Sequence, residues 1–217
     1  MKGSLEVLDG GLQTTVQDAG RVGYRKYGVP VSGVMDVHAY QLANWLVGNK
    51  SVAPVLELTL KGGTFKFHSD AKIGISGGHA EVLINEKPAP SNKTIKVYKD
   101  DLLNIGKVRS GCRVYLAIAG EWSIAKVMGS YSTCLIAKFG GFEGRALRKG
   151  DRLTWNSSKK SVEIRTIPKE LIPHYAIRQT IHIIKGPEWN WLDEAQQAEF
   201  LAADFSLSSE SNRMGIR

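Results

Sequence analysis

Cysteine is scarce in this chain. Cys112 and Cys134 are its two cysteines among 217 residues, and they do not form the close pairs that bind metal ions. This scarcity excludes the disulfide framework that holds many small secreted domains together. Because free cysteine usually packs as a small apolar residue, we expect both thiols to be buried.

Long apolar runs are also absent. The chain has no uncharged stretch of the roughly 20 residues that a helix needs to span a bilayer, so we expect no transmembrane helix and no membrane contact. The opening residues, MKGSLEVL, lack the apolar core of a signal peptide. From these two absences we expect a cytoplasmic protein.

Several catalytic motifs are missing as well. The sequence has no G-x-x-x-x-G-K-[ST] phosphate loop, and GSYST at 129–133 lacks the second glycine of a nucleophile elbow. The five histidines show no ligand spacing, so we expect no metal site. No Met-Lys pair occurs beyond the N-terminus, so the chain carries no biotinyl-lysine signature of its own.

The net charge of +8 is spread along the chain rather than concentrated. Neither zinc-finger spacing nor an aromatic and basic RNA signature is present, so we do not expect a nucleic-acid partner. A solvated surface or an acidic partner explains the charge better.

Glycine is plentiful in one stretch, residues 10–36, where glycines separate polar and apolar side chains. Such a long connection inside a compact domain is typical of a functional loop, and its glycines let the backbone approach a ligand closely. Asp18 is a candidate general base or orienting acceptor, and its alternative role is to brace the loop. Arg21 is a candidate clamp for a carboxylate or oxyanion, with an ion pair to Asp18 as its alternative. Gln17 and Ser32 are candidate ligands of an amide substrate, and each could instead bond the loop backbone.

The remaining pattern indicates a mainly β fold of the β-rich α+β type. Short strand candidates separated by Gly-rich turns run from Val55 to Trp155. Asp36 is a predicted N-cap for a helix that buries Ala39, Leu42, Ala43 and Leu46 and stops at Gly48. A second helix is predicted to be capped by Asn190. Strands are predicted at 162–167 and 180–185, and a domain boundary is predicted after residue 167.

The order of these residues resembles a known family. The segments GLQTTVQDAGRVGY (11–24) and GVPVSGVMD (28–36) closely resemble the opening signature of the allophanate hydrolase subunit 2 family. The members of this family are similar to biotin-dependent carboxyltransferases. Later blocks match in the same order, at 42–49, 56–60, 110–120, 128–133, 140–145 and 211–215. The similarity therefore covers nearly the whole chain.

The resemblance implies a fold of cyclophilin-like β-barrels with a few helices. It also implies the C-subunit of an ATP-dependent 5-oxoprolinase, which works with a 5-oxoprolinase B-subunit or allophanate hydrolase subunit 1-type partner and a third, lactam-utilisation subunit. Two alternatives stay open: a carboxyltransferase subunit of biotin-dependent urea metabolism, and a non-catalytic antagonist that binds a kinase inhibitor. The lack of a phosphate loop and of a biotinyl lysine suits a protein that depends on companions.

On this hypothesis Asp18 and Arg21 are the predicted catalytic residues. The predicted substrate-binding residues come from the loop and from the last family block: Thr15, Gln17, Tyr24, Ser32, Gly33 and Arg213. Two departures from the family pattern stand out. GEWS at 120–123 replaces an Ala-Gly-Gly-Ile-type turn, and the β-rich segment that usually follows the block at 211–215 is missing. We therefore expect residues 1–167 to form one region and 168–217 to begin a second, truncated one.

Overall fold

The computed structural model describes residues 2–157, 163–176, 178, 180 and 182–206. The chain separates into two compact units, Met1–Tyr175 and Ala176–Arg217. The assignment of 1–167 and 168–217 as domains stays a prediction. Within the described residues, no helix has the length and apolar character needed to cross a membrane.

The first unit is dominated by strands. In chain order, the described strands are β1 (Lys2–Asp9), β2 (Gln13–Gln17), β3 (Val55–Thr59), β4 (Thr64–Phe67), β5 (Ala71–Ile84), β6 (Lys87–Pro88), β7 (Thr94–Val97), β8 (Leu102–Ile118), β9 (Glu121–Trp122) and β10 (Arg152–Asn156). The described α-helices are α1 (Val37–Leu46) in the first unit and α2 (Glu194–Ala202) in the second. Single 3₁₀ turns occupy Arg25–Tyr27, Lys169–Leu171 and Trp189–Trp191.

The strands form one antiparallel sheet around β8. Its main order is β2-β3-β8-β4-β1-β10-β9. Outside this order, β5 pairs with β8 and also with the short strands β6 and β7. The long β5–β8 pair contains register shifts between Gly77 and Val82, and such bulges bend the strands and increase their twist. The sheet consequently curls over its core, and the predicted mainly β fold is confirmed.

The core lies on the inner face of this curled sheet. In β1 the buried residues Leu5 and Val7 alternate with partly exposed neighbours, as expected for a strand with one buried face. Trp155 of β10 is fully buried and meets Phe67 edge to face, with ring centroids 6.3 Å apart. A pair of this geometry is favoured by the aromatic quadrupoles.

Helix α1 packs on the other side of β5 and β8. Asp36 is its N-cap, since its Oδ1 atom accepts a hydrogen bond of 2.9 Å from the Ala39 amide. Ala39, Tyr40 and Ala43 form a small apolar cluster with residues of β3 and β8. The predicted cap and helix are therefore confirmed, with Ala39, Ala43 and Leu46 buried as predicted and Leu42 only partly buried.

Other local predictions differ from the structure. The predicted strands at 72–76 and 80–84 are one strand, β5, because Gly77 and Gly78 form a bulge rather than a turn. Likewise, the predicted strands at 102–105 and 113–119 both belong to β8, apart from the last residue.

The second helix begins later than predicted. Asp193, not Asn190, caps α2, because its side chain accepts from the Gln196 amide and Gln196 bonds back in a capping box. The described residues of 180–185 and 163–167 lie in no strand beyond a single bridge from Thr166 to Lys93. Residues 162 and 181 lie outside the described part. Cys134 is buried, whereas Cys112 is exposed, so the expectation of two buried thiols holds for one of them.

Candidate functional site

The Gly-rich loop joins β2 to the N-terminus of α1. Polar side chains at the end of β2 and the start of the loop turn into the protein: Thr15 and Gln17 of β2 and Asp18 and Arg21 of the loop are all nearly inaccessible to solvent. Gly20 and Gly33, both with φ near +90°, bring the two ends of the loop into contact. A Cβ atom on Gly33 would lie 3.1 Å from the Gly20 Cα atom, so glycine is needed at this crossing.

Asp18 joins the loop to the segment 130–132. Its Oδ1 atom accepts from the hydroxyls of Ser130 and Ser132, each at 2.6 Å, and from the Gly20 amide at 2.9 Å. Its Oδ2 atom accepts from the Tyr131 amide at 2.7 Å. The Ser132 hydroxyl also accepts from the Asp18 amide. The carboxylate charge is thus compensated by four donors, as a buried charge requires.

Arg21 binds the same segment from another side. Its Nε atom donates to the Val127 carbonyl at 3.1 Å, and its Nη2 atom donates to the Ser132 carbonyl at 2.5 Å. The guanidinium carbon lies 4.7 Å from the centre of the Phe139 ring, in cation–π contact. Burial lowers the pKa of Arg21, and the nearby Asp18 charge partly opposes that effect.

Asp18 and Arg21 therefore form one clamp between two loops, which we call the Asp18–Arg21 clamp. Within the described residues they form no salt bridge with each other, and both bind the segment 127–132 instead. The loop is fixed further by the Arg21 amide, which donates to the Val31 carbonyl, and by the Val34 amide, which donates to the Asp18 carbonyl.

Two buried polar atoms beside the clamp have no hydrogen-bond partner among the described residues. Gln17 donates from Nε2 to the Thr15 hydroxyl and the Thr133 carbonyl, but its acceptor Oε1 is unfilled. Arg21 leaves its donor Nη1 unfilled. Because buried polar groups are nearly always paired, an unfilled acceptor and an unfilled donor are compatible with a small polar ligand.

Tyr40 of α1 carries a third unfilled group, its buried hydroxyl. Burial raises the pKa of Tyr40, and the negative charge of Asp18 raises it further. The phenol is therefore neutral at physiological pH, and its O–H can donate.

The other predicted site residues are placed differently. Tyr24 and Ser32 are partly exposed on the loop, and Ser32 has a left-handed φ of 56°. Gly33 is buried at the loop crossing. Arg213 lies outside the described residues. β2 and the loop thus bring Gln17, Asp18 and Arg21 against the segment 127–134, with Thr15 bonded to Gln17. The catalytic and substrate-binding roles of all four stay predictions.

A chain of hydrogen bonds fixes the far end of the loop. The buried Glu57 accepts through Oε2 from the Met35 amide at 2.9 Å and from the Tyr115 hydroxyl at 3.0 Å. The Tyr115 hydroxyl accepts from the Asp36 amide, and the Tyr175 hydroxyl donates to Asp36 Oδ2. Burial raises the pKa of Tyr115, and Glu57 adds to the effect. Burial and the nearby Asp36 likewise raise the pKa of Tyr175. Both tyrosines are therefore neutral and can act as hydrogen-bond donors here.

Sequence reasoning missed the partners of these residues. Ser130 and Ser132 lie more than 110 residues from Asp18 in the chain, so no local spacing could reveal the contact. Glu57 did carry a signal, since a charged residue in the apolar strand Leu-Glu-Leu must find a partner when buried. No group of three His, Cys, Asp or Glu side chains in the described residues is arranged to hold a metal ion.

Comparison with known proteins relates the chain to two kinds of enzyme. It is 39% identical over 227 residues to the urea amidolyase of Lachancea kluyveri, covering 99% of this chain and 12% of that protein. It is 38% identical over 214 residues to the 5-oxoprolinase C-subunit of Escherichia coli strain K12, covering 98% of this chain and 67% of that protein. The chain thus spans about an eighth of the amidolyase and two thirds of the bacterial protein.

The fold is shared with a solved relative. The crystal structure of the K. lactis urea amidolyase superposes with a TM-score of 0.88 at 36% sequence identity, covering 99% of this chain and 14% of that one. The family model described as carboxyltransferase domain, subdomain A and B, matches residues 27–217. The chain therefore belongs to the carboxyltransferase domain family, subdomain A and B.

Proposed function

We propose that this chain forms part of a 5-oxoprolinase subunit, which opens the lactam ring of 5-oxoproline to glutamate in an ATP-dependent complex. The similarity to the Escherichia coli C-subunit supports this function, because the chain covers most of that protein and only a small part of the urea amidolyase. The single structural observation that carries the proposal is the unfilled pair of polar atoms at Gln17 and Arg21.

The unfilled pair matches the chemistry of a lactam. A lactam offers one N–H donor, which Gln17 Oε1 can accept, and one carbonyl oxygen, to which Arg21 Nη1 can donate. When water adds to the carbonyl carbon, the oxygen becomes negatively charged and the guanidinium stabilises it. The carbon–nitrogen bond then breaks, the nitrogen takes a proton, and the ring opens to the amino group and side-chain carboxylate of glutamate.

Asp18 is predicted from the sequence as a catalytic group, and its contacts support a positioning role in the proposed site. All four of its hydrogen bonds go to protein donors, so it holds the loop against the segment 130–132. Tyr24 and Ser32, on the partly exposed side of the loop, are proposed to contact the substrate or a companion protein.

The proposal includes the setting of the reaction. ATP is the co-substrate of the assembled complex: its γ-phosphoryl group is transferred to the oxyanion that forms when water adds, with release of ADP. Breaking of the carbon–nitrogen bond then leaves an acyl phosphate, which a second water hydrolyses to the carboxylate and phosphate. The companions are a 5-oxoprolinase B-subunit, of the allophanate hydrolase subunit 1 type, and a third, lactam-utilisation protein. The compartment is the cytoplasm.

A second candidate function is carboxyl transfer from biotin to urea. The 39% identity to a urea amidolyase and the TM-score of 0.88 favour it. Urea and the ureido ring of biotin also offer N–H and carbonyl groups, so Gln17 and Arg21 fit them as well. Biotin, when carried into the site by a companion, would supply the carboxyl group.

The test is reconstitution of the full-length protein with its companion subunits. We expect ADP release that depends on 5-oxoproline, with glutamate formed in equal amount and no requirement for biotin. Biotin-dependent carboxylation of urea without lactam turnover would establish the second candidate instead. Tight binding of the B-subunit without turnover of either substrate would contradict both and favour a non-catalytic antagonist.

A further inference from the structure

The tips of the Gly-rich loop and of the segment 122–142 carry no acidic residue. Apart from the buried Arg21, residues 19–35 contain the bases Arg25 and Lys26, and residues 122–142 contain Lys126 and Lys138. All four bases are exposed. Among the described residues none of them forms a salt bridge, so no acid in this part of the chain is paired with their charges.

Large apolar side chains are exposed beside these bases. Val22 is 80% exposed and Tyr27 69% on the first loop, and Met128 is 43% exposed and Ile136 68% on the second. We call these four residues and the four bases the two-loop face. Scattered exposed apolar residues are ordinary, but apolar and cationic side chains grouped on two joined loops are typical of an interaction site.

The Asp18–Arg21 clamp holds the two loops together. The Nε atom of Arg21 donates to the Val127 carbonyl. Val22 follows Arg21 in the chain and Met128 follows Val127, so this bond joins the two loops next to an exposed apolar residue of each. Asp18, the acid of the clamp, is buried and fully bonded to protein donors. The exposed Glu143, just beyond the second loop, is paired with Arg145. The eight residues of the two-loop face therefore carry four positive charges and no negative one.

The tips of both loops face open space. A Cβ atom added at Gly23, Gly28 or Gly129 would meet no atom within 4 Å. The clamp behind them is buried and fixed by hydrogen bonds, so a partner that docks here finds a preorganised surface and loses little free energy in ordering it. Tyrosine, methionine and arginine, all present here, are enriched at protein interfaces.

We propose that the two-loop face docks an acidic polypeptide segment that also carries apolar side chains. Charge complementarity selects an acidic partner, and the exposed apolar residues between the bases require a partner with matching apolar groups. A nucleic acid or an anionic membrane would satisfy the charges, but neither explains an exposed Val22, Tyr27 and Ile136 as well as a polypeptide does. For the identity of the partner, the inference rests on the proposed function and assigns this surface to the 5-oxoprolinase B-subunit.

The test is binding of the full-length protein to the purified B-subunit, measured by biolayer interferometry without substrate or ATP. We expect the Lys126→Glu/Lys138→Glu variant to weaken binding at least tenfold, mainly through a slower association rate. Met128→Ser/Ile136→Ser should weaken it at least fivefold, mainly through faster dissociation. The control is Lys87→Glu/Lys96→Glu, which changes the net charge equally at exposed sites outside the two-loop face and should stay within twofold.

Raising the salt concentration from 50 to 500 mM should slow association for the wild type and have little effect on the Lys126→Glu/Lys138→Glu variant. Equal weakening of the face and control variants, no weakening by either face variant, or no binding by the wild type would overturn the inference. So would tighter binding of duplex DNA or phosphatidylserine vesicles with the same sensitivity to Lys126 and Lys138. Loss of binding by the face variants in a complex without lactam turnover would retain the surface and remove only the proposed reaction.

Discussion

At the scale of the residue, Asp18 is predicted from the sequence as a catalytic group, whereas its contacts in the structure are those of a residue that holds two loops together. Its carboxylate is buried, accepts four hydrogen bonds and links two loops that are distant in sequence. Arg21 differs from it, because one of its donors, Nη1, is buried and unfilled. The first residue therefore positions the loop, and the second is the better candidate for contact with a substrate.

The hydrogen bonds of Asp18 give a stability prediction. In Asp18→Asn, the amide nitrogen must face a backbone N–H in either orientation, that of Tyr131 or that of Gly20, so at least one pair of donors is opposed. We expect a loss of about 1–3 kcal/mol in the free energy of unfolding, since a buried group is left unpaired. Urea unfolding measures it, and the exposed Asp9→Asn should cost less than about 0.5 kcal/mol. Equal losses of stability in the two variants would contradict the role of the Asp18 hydrogen bonds in holding the two loops together.

Two glycines test the packing of the clamp. Gly140 and Gly129 have similar left-handed backbones, with φ of 70° and 78°. A Cβ atom on Gly140 would lie 2.3 Å from the Ser132 carbonyl oxygen and 2.6 Å from Arg21 Nη2, whereas one on Gly129 meets nothing within 4 Å.

Gly129→Ala should therefore cost only the strain of the left-handed backbone, about 1–2 kcal/mol. Gly140→Ala should cost about 1–3 kcal/mol more, because the clamp must shift to make room. Thermal unfolding of both variants measures the difference. Equal melting temperatures would show that the space around Gly140 is not as tight as the structure indicates.

At the scale of the element, sequence patterns predict what is local and miss what depends on pairing. The Asp36 cap and the apolar face of α1 are readable, because both follow from neighbours within one or two turns. The Gly77-Gly78 pair resembles a turn, although β5 continues through it by pairing with β8. The partners of the flanking Gly77 and His79, Val114 and Ser110, lie more than 30 positions away. The cap of α2 is misplaced by sequence reasoning because Asn190 and Asp193 are both good capping residues, and only Asp193 has Gln at the third helical position.

The turn that leads into β10 gives a pH prediction. Arg145 binds Asp151 through two hydrogen bonds, of 2.6 and 2.9 Å, and the Arg148 amide also donates to this carboxylate. The Arg145 hydrogen bonds are the main cause that lowers the pKa of Asp151. The same turn is joined to β1, because the Val7 amide donates to the Asp151 carbonyl.

A lowered pKa in the folded state means that Asp151 contributes its full stabilisation above its unfolded pKa of about 3.9. The contribution is lost as the pH falls below that value and through the folded pKa. Asp151→Asn should therefore be less stable than the wild type at pH 7, and the difference should shrink steadily below about pH 4. Urea unfolding at a series of pH values checks this, and a difference that stays constant down to about pH 2 would contradict it.

At the scale of the whole molecule, the mainly β class and the family follow from strand spacing and from ordered sequence blocks, and the structure and the comparisons confirm both. The candidate site is only half predictable. Gln17, Asp18 and Arg21 can be found because they lie within one five-residue stretch, but the partners Ser130, Ser132 and Phe139 come from a segment more than 100 residues away. A single sequence does not show which distant segment closes a loop.

The most direct test of the account is kcat/KM for 5-oxoproline in the reconstituted complex containing Arg21→Lys. Lysine keeps a positive charge but has no counterpart of the Nη1 donor that is proposed to bind the lactam oxygen. We therefore expect kcat/KM to fall about 100-fold, the usual cost of one lost oxyanion donor. Arg109→Lys, a change at an exposed site outside the loop and the two-loop face, should stay within twofold. An Arg21→Lys complex that turns over 5-oxoproline as fast as the wild type would contradict the proposal that this buried guanidinium holds the lactam.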